Sequence, residues 1–371
     1  MPQQILITGG AGFIGSHLAD DLLAQGHHVR ALDRLHPQVH PEGRRPAYLN
    51  GEVELHAGDV RDPDAVRRAL RGVDAVYHFA AMVGVGQSMY QVSDYTSVNG
   101  GGTAVLLEAL IERPVQRLVV ASSMSVYGEG AYVAPDGSPS QPVDRTLDQL
   151  RSGEWEPRNA GGELLRPVPT SEDKRPSLRS IYALSKYDQE RMCLMIGEAY
   201  GIPTVALRFF NVYGTRQALS NPYTGVLAIF AARFLNRHPP VIFEDGLQRR
   251  DFVSVYDVAR ACRLALESEA AVGQAINVGS GRSLTVREVA DRMAAVLGCQ
   301  EIEPEITGRS RVGDIRHCFA DIARARECLG YEPAVSLEDG LIELAGWLTG
   351  QQADDRVGHA RRELEARGLT V

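Results

Sequence analysis

Near the N-terminus the run Gly9-Gly10-Ala11-Gly12-Phe13-Ile14-Gly15 follows the apolar segment Ile5-Leu6-Ile7 and leads at once into a helical pattern, with Ile14, Leu18 and Leu22 on one face. Glycines in such a run permit a tight turn and let backbone amides approach a pyrophosphate, whose charge then sits at the helix N-terminus. A glycine string alone constrains little. A strand before it, a helix after it and an acid about twenty residues further on constrain a great deal. Asp33 is that acid, closing a second apolar run, Val29 to Leu32. A carboxylate there accepts hydrogen bonds from ribose hydroxyls and repels a 2′-phosphate, which favours NAD over NADP. Arg34 follows directly and tempers that preference.

The same alternation continues through the first 120 residues. Short apolar runs recur at Val53-Glu54-Leu55, Ala75-Val76-Tyr77 and Arg117 to Ala121, separated by helical stretches such as the one carrying Val105, Leu106 and Ala109. Strand alternating with helix implies βαβ units, hence an α/β fold with a Rossmann-type, doubly wound parallel sheet and helices on both faces. A length of 371 residues allows one large domain or two. Residues 1–200 read as an NAD-binding domain that carries an insertion, 129–179, rich in Pro, Gly, Ser and charge. Residues 201–350 read mainly as a smaller α/β substrate lobe with some segments returning to the first domain. Its elements are a helix near Leu227 to Leu235, strands at Val241-Ile242-Phe243 and Ala275 to Val278, and helices at Val286 to Leu297 and Leu337 to Leu348. The polar stretch 351–371 reads as a solvated helix or a frayed tail. No repeat of 20 to 50 residues is visible.

Composition excludes several classes. Lys and Arg total 39 against 47 Asp and Glu, a net charge of -8 without a basic block, so no nucleic-acid partner is expected. No apolar run nears the roughly 18 residues of a membrane span, so no membrane partner is expected either. The five cysteines form no C-x-x-C pair and lie at no zinc-finger spacing, so they read as reduced thiols and no metal is expected. The N-terminus shows no basic and apolar leader, and the expected compartment is the cytoplasm.

Further residues suit the same cofactor and a reaction beside it. Asp59-Val60 ends the third strand, where a carboxylate reaches an adenine amino group or simply caps the next helix. Phe79-Ala80-Ala81 ends the fourth, where small residues let a dinucleotide lie on the sheet edge. Tyr182 and Lys186 stand four apart on one helical face, so the ammonium can lower the phenol pKa towards neutrality and also hold the nicotinamide ribose. A phenolate near neutral pH is a competent base for a sugar hydroxyl. Ser123, within Ser122-Ser123-Met124-Ser125-Val126-Tyr127-Gly128 at the end of the fifth strand, offers a hydroxyl beside them.

These residues, with Arg208-Phe209-Phe210-Asn211-Val212-Tyr213-Gly214, Arg250-Asp251-Phe252-Val253 and Asn277-Val278-Gly279-Ser280-Gly281, resemble the extended short-chain dehydrogenase/reductase family, in its nucleotide-sugar epimerase and dehydratase branch. The match runs in order from residue 4 to about 345. The runs Phe209 to Val226 and Arg311-Val312-Gly313-Asp314-Ile315-Arg316-His317 are similar to those of proteins labelled dTDP-L-rhamnose 4-epimerase. The resemblance implies Tyr182 as base, Lys186 as its activator and Ser123 as the hydroxyl that orients the sugar oxygen. It implies Gly9, Gly12, Phe13, Ile14, Gly15, Asp33, Asp59, Val60, Phe79, Ala80, Ala81 and Asn99 as NAD contacts, together with Tyr182 and Lys186. For a nucleotide-diphosphate sugar it implies Ser123, Met124, Asn211, Gly225, Val226, Arg250, Arg311 and Asp314. The two arginines make independent sense as forks for a diphosphate, or else as surface ion pairs.

The two residues after Ser123 narrow the reaction type. Similar dehydratases carry Asp-Glu there, whereas this chain has Met124-Ser125, neither able to handle the proton of a leaving water. An NAD-dependent 4-epimerase working through a transient 4-keto sugar needs no further acid. A 4-keto-sugar reductase, an enzyme of uronic acid sugars (4-epimerase or decarboxylase) and a non-catalytic sensor of NAD or nucleotide sugar remain open. Similar enzymes pair two helices, here 94–112 and 180–200, into a homodimeric four-helix bundle. Similar proteins also often carry C-x-x-C pairs in the insertion, where this chain has no cysteine. The insertion is expected instead to pack through Trp155, Leu164 and Leu165 on the sugar lobe and to serve as a lid over the sugar.

Overall fold

The computed structural model describes residues 1–219, 221, 225–311, 314–351 and 357–369. Ser220, Pro222, Tyr223, Thr224, Val312 and Gly313 of the runs quoted above, and residues 352–356 and 370–371 of the tail, lie outside the described residues.

Leu6 packs on one face of the central sheet while Ile5 and Ile7 pack on the other, and all three are fully buried. Strands covered on both faces read as continuous apolar runs, as parallel sheets require. The sheet has seven parallel strands in the spatial order Ala275–Val278, Thr204–Phe209, Arg117–Ser123, Ala75–His78, Gln4–Thr8, His28–Asp33, Glu54–Ala57. The chain leaves Gln4–Thr8 in one direction and returns to its other side with Ala75–His78, so the winding reverses between these two strands. Ligands of open α/β sheets bind in the crevice beyond the carboxyl ends of the strands at such a reversal. Ala275–Val278, which lies among substrate-lobe elements in the sequence, completes one edge of this sheet. A separate core of Phe230, Phe234, Met293, Leu341 and Leu344 holds the helices Val226–Leu235, Val286–Leu297 and Leu337–Leu348 together.

The helical stretch expected at 94–112 is not one regular helix. Val92–Tyr95 passes into a wider π turn, Thr96–Gly101, before the α-helix Gly102–Glu112. Sterics account for the glycine that starts the helix: a Cβ on Gly102 would stand 2.4 Å from Val60 Cγ1.

Packing of the insertion differs from expectation. Its strand Ala131–Val133 pairs with Pro139–Ser140 and Arg166–Val168, and its only buried apolar cluster among the described residues joins Tyr132, Ala134 and Leu165 within the insertion itself. Leu164 is 52% exposed. Charge does the anchoring. Arg316, with no exposed side-chain surface, reaches Glu156 of the insertion at 2.7 Å and Glu244 and Asp245 of the lobe at 2.9 and 2.6 Å. Arg145 of the insertion reaches Glu244 at 2.7 Å. The Glu129 carboxylate accepts the backbone amides of Arg316 and His317 at 2.7 and 3.1 Å, and His317 meets Glu156 at 2.9 Å. Burial would raise the Glu156 pKa, but hydrogen bonds from His317 and Arg316 outweigh it and hold the carboxyl at about 2.

Removing one member of a buried, fully bonded ion cluster leaves its partners uncompensated, at a cost of about 3–5 kcal/mol. Arg316→Met is therefore expected to lower unfolding free energy by about that amount in a denaturant titration. Arg67→Ala, whose pairs with Asp64 and Glu112 face water, is expected to change it by less than about 1 kcal/mol.

Candidate active site

A cavity of about 680 Å³ opens at the winding reversal and extends into the substrate lobe. Every site residue expected from the sequence lines it except Asn99. Asn99 is fully buried behind the wall, where its Oδ1 accepts the Met82 amide at 2.7 Å and its Nδ2 donates to Met82 O at 3.1 Å and Ser185 Oγ at 2.9 Å. It holds the wall segment at Met82 rather than facing the cavity.

The glycine turn is built for close approach. Gly9 has φ +72°, and a Cβ there would stand 3.0 Å from Ala80 N; a Cβ on Gly15 would stand 2.5 Å from Gly9 O. Gly12 caps the helix Phe13–Ala24 without a side-chain hydrogen bond, so no side chain competes for the first amides. Asp33 is fixed by the amides of Ala11 at 3.1 Å and Leu35 at 2.8 Å. Arg34 lines the cavity 3.7 Å from Asp59, which Arg61 also holds at 2.7 Å. A hydrogen bond from Arg61 keeps the Asp59 pKa below its usual value, against the opposing effect of burial. The helix cap that Asp59 could have supplied is Asp62 instead, accepting from Asp64 N at 2.9 Å.

Ser180 caps the helix Ile181–Tyr200 by accepting the Ala183 amide at 3.1 Å, which puts Tyr182 in the first turn and Lys186 one turn later. Ser123 ends its strand, accepts from Ser125 N at 3.2 Å and Ser125 Oγ at 2.9 Å, and lines the same cavity as Tyr182. Burial raises the Tyr182 pKa and the Ser123 hydroxyl only partly offsets it. This differs from the expected coupling to Lys186. The ammonium is turned to Gln189 Oε1 at 2.7 Å, and burial lowers its pKa to about 8 against the pull of Cys193 and Glu190.

Two polar clusters behind the site escaped the sequence reading. Gln189 Nε2 donates to Thr103 Oγ1 at 2.9 Å, and His78 sits between Thr8 Oγ1 and Thr103 Oγ1 at 2.8 Å each. Burial, aided by the Lys186 charge, lowers the His78 pKa to about 3, so the imidazole is neutral. Glu190 takes both forks of Arg208, at 2.6 and 2.9 Å, and the Ser122 hydroxyl at 2.6 Å. Gln189 and Glu190 follow Lys186 by three and four residues on the helix, which was the available signal.

At the far end Arg250 donates to the carbonyls of Arg249 and Arg316 at 2.9 Å and of Ile315 at 2.6 Å, so its fork is held rigidly. Arg311 pairs with Asp314 at 2.9 Å and lies over the Phe243 ring at 4.5 Å. Three buried acceptors on the cavity wall, Asn211 Oδ1, Gln217 Oε1 and Gln248 Oε1, have no hydrogen-bond donor among the described residues. Buried acceptors are rarely left so, and these three fit the hydroxyl and amide donors of a nucleotide. Gln217 and Gln248 were missed by sequence reasoning, since an isolated glutamine carries no pattern.

Glycine turn, fixed acid and the Ser123, Tyr182 and Lys186 set on a doubly wound sheet define an NAD-binding enzyme of the extended short-chain dehydrogenase/reductase type. Residues 5–279 match the NAD dependent epimerase/dehydratase family, and the chain belongs to it. It is 35% identical to a dTDP-L-rhamnose 4-epimerase of Burkholderia thailandensis over 350 residues, 93% of this chain and 95% of that one. Among solved structures it is similar to the UDP-glucose 4-epimerase of Thermotoga maritima with UDP-glucose, at TM-score 0.76 and 30% identity, covering 93% of this chain and 98% of that one. The UDP-glucuronic acid 4-epimerase of Bacillus cereus, with UDP-glucuronic acid and NAD, gives TM-score 0.76 and 28% identity, covering 93% and 99%.

The residues present fit NAD: the glycine turn would hold its pyrophosphate, Asp33 a ribose and Lys186 the nicotinamide ribose, with Tyr182 on the same wall. A charged Lys186 would give NAD a charge-assisted hydrogen bond that is lost as pH rises through about 8. NAD affinity measured by calorimetry is expected to fall by roughly tenfold across that limb. Lys186→Met is expected to bind NAD at the weaker level with no such limb.

Proposed function

We propose that this chain is an NAD-dependent nucleotide-sugar 4-epimerase that works through a transient 4-keto sugar. The carrying observation is Ser123 and Tyr182 on one cavity wall with Met124 and Ser125 directly after the serine, a site that offers a phenol and places no carboxylate there for eliminating water. Tyr182 takes the proton of the C4 hydroxyl while Ser123 holds the oxygen that becomes a carbonyl. Bound NAD supplies a reversible acceptor for the C4 hydride. The enclosing walls keep the keto sugar until it turns over and is reduced on its opposite face, where Tyr182 returns the proton. Atoms and electrons balance with no external reductant. Asn211, Arg250 and Arg311 hold the nucleotide diphosphate, with Asp314, Gly225 and Val226 towards the nucleoside and Met124 beside the sugar. The likeness to the Burkholderia protein supports a dTDP-sugar.

A second substrate class, a uronic acid sugar, draws support from the likeness to the Bacillus cereus enzyme. Purified protein with NAD, offered dTDP-, UDP- and GDP-sugars including UDP-glucuronic acid, is expected to invert C4 of one of them, read by proton NMR. Tyr182→Phe is expected to lower kcat by about 10²- to 10⁴-fold. Consumption of added NADPH would instead identify a ketoreductase, release of carbon dioxide a decarboxylase, and binding without turnover a sensor.

The helix Ile181–Tyr200 leaves Leu184 and Met195 half exposed on one face, which supports a homodimer paired through this helix. Light scattering is expected to give twice the mass of 40.4 kDa, and Leu184→Arg to give the monomer. Among the described residues no helix is long and apolar enough to cross a membrane, and all five cysteines are free, which supports a reducing, cytoplasmic setting.

A further inference from the structure

Of the insertion 129–179 only its last residue, Arg179, lines the main cavity, although the insertion was the segment expected to cover it. The polar C-terminus reaches the cavity as well. Its helix Val357–Ala366 ends at Gly368, whose φ of +67° turns the chain and whose amide bonds Glu365 O at 3.0 Å. Left-handed glycine is the ordinary way to end a helix and redirect the chain. The redirected residue is Leu369, and it joins the cavity wall.

Two contacts tie this segment to opposite banks. Arg367 lies over the Tyr90 ring at 4.3 Å, next to Met89 of the cavity wall on the Rossmann side. Glu365 pairs with Arg309 at 3.1 Å, two residues before Arg311 of the substrate lobe. We infer that the C-terminal helix is a strap across the substrate half of the cavity, and that Leu369 is a substrate-pocket residue which closes over bound nucleotide sugar. The inference rests on the nucleotide-sugar reading above. The ties are of the kind that open cheaply: Arg309 and Glu365 are 54% and 36% exposed, so water competes for the pair.

The test uses the full-length, NAD-loaded protein with dTDP, UDP and GDP as separate probes. Hydrogen exchange across 357–369 is expected to slow when the nucleoside diphosphate binds. Leu369→Arg, and a chain stopped after Gly350, are expected to weaken dTDP, UDP or GDP binding about tenfold while NAD affinity stays within about twofold, because the glycine turn lies away from the strap. Arg367→Ala is expected to act in the same direction by loosening one bank. Unchanged nucleotide affinity in Leu369→Arg and in the shortened chain, with no exchange protection, overturns the strap alone. If none of dTDP, UDP and GDP binds the full-length chain, the nucleotide-sugar reading falls and the strap with it.

Discussion

One buried ion pair joins the parts that must not move relative to one another. Glu190 belongs to the helix that carries Tyr182 and Lys186, Arg208 to the neighbouring strand, and Ser122, which also bonds Glu190, precedes Ser123. Arg208 continues to the Tyr127 hydroxyl at 2.9 Å, and that hydroxyl to Asn277 at 2.7 Å on the edge strand. Burying two charges is expensive and is offset only when every donor and acceptor finds a partner. Here the guanidinium and carboxylate are shared among three strands and one helix, so the cost is met by bonds that also align base, hydroxyl and sheet.

A second consequence concerns charge at the catalytic end. His78 stands directly behind Lys186 and shares Gln189 with it, so a charged imidazole would repel the ammonium. Burial keeps His78 neutral, so no like charge stands behind the Lys186 ammonium. Burial also pushes the Lys186 and Tyr182 pKa values in opposite directions, from about 10.5 down and from 10.0 up respectively. The site of the protein alone is therefore a weakly polarised pair.

How much of this was legible depends on sequence distance. The glycine turn, Asp33 and the Tyr182 and Lys186 spacing are local, and each depends on neighbours within a turn or a strand, so the pattern carries them. The winding of the sheet comes from alternation together with the order of strands. The ion cluster is different: Arg316 meets Glu156 across 160 residues, and nothing near either residue signals the other. Asn99 reads as a contact because it lies in the right segment, but the π turn rotates it behind the wall. Similarly, an Arg- and Glu-rich tail reads as solvated because exposed ion pairs and an arginine over a ring leave no apolar stripe to detect.

The two appended segments divide their labour for the same reason. A cover has to open on every turnover, so the free energy holding it shut must be small. The insertion is held by Arg316, completely enclosed, with three carboxylates around its guanidinium, and releasing it would strand several charges in a dry setting. Such a contact suits a segment that stays fixed to the lobe. Among the described contacts of the C-terminal strap are an exposed ion pair and an arginine over a tyrosine, each worth about 1 kcal/mol or less at a surface. Those are contacts a bound sugar nucleotide can outweigh in either direction, and Leu369 adds apolar contact only when the cavity is closed upon something.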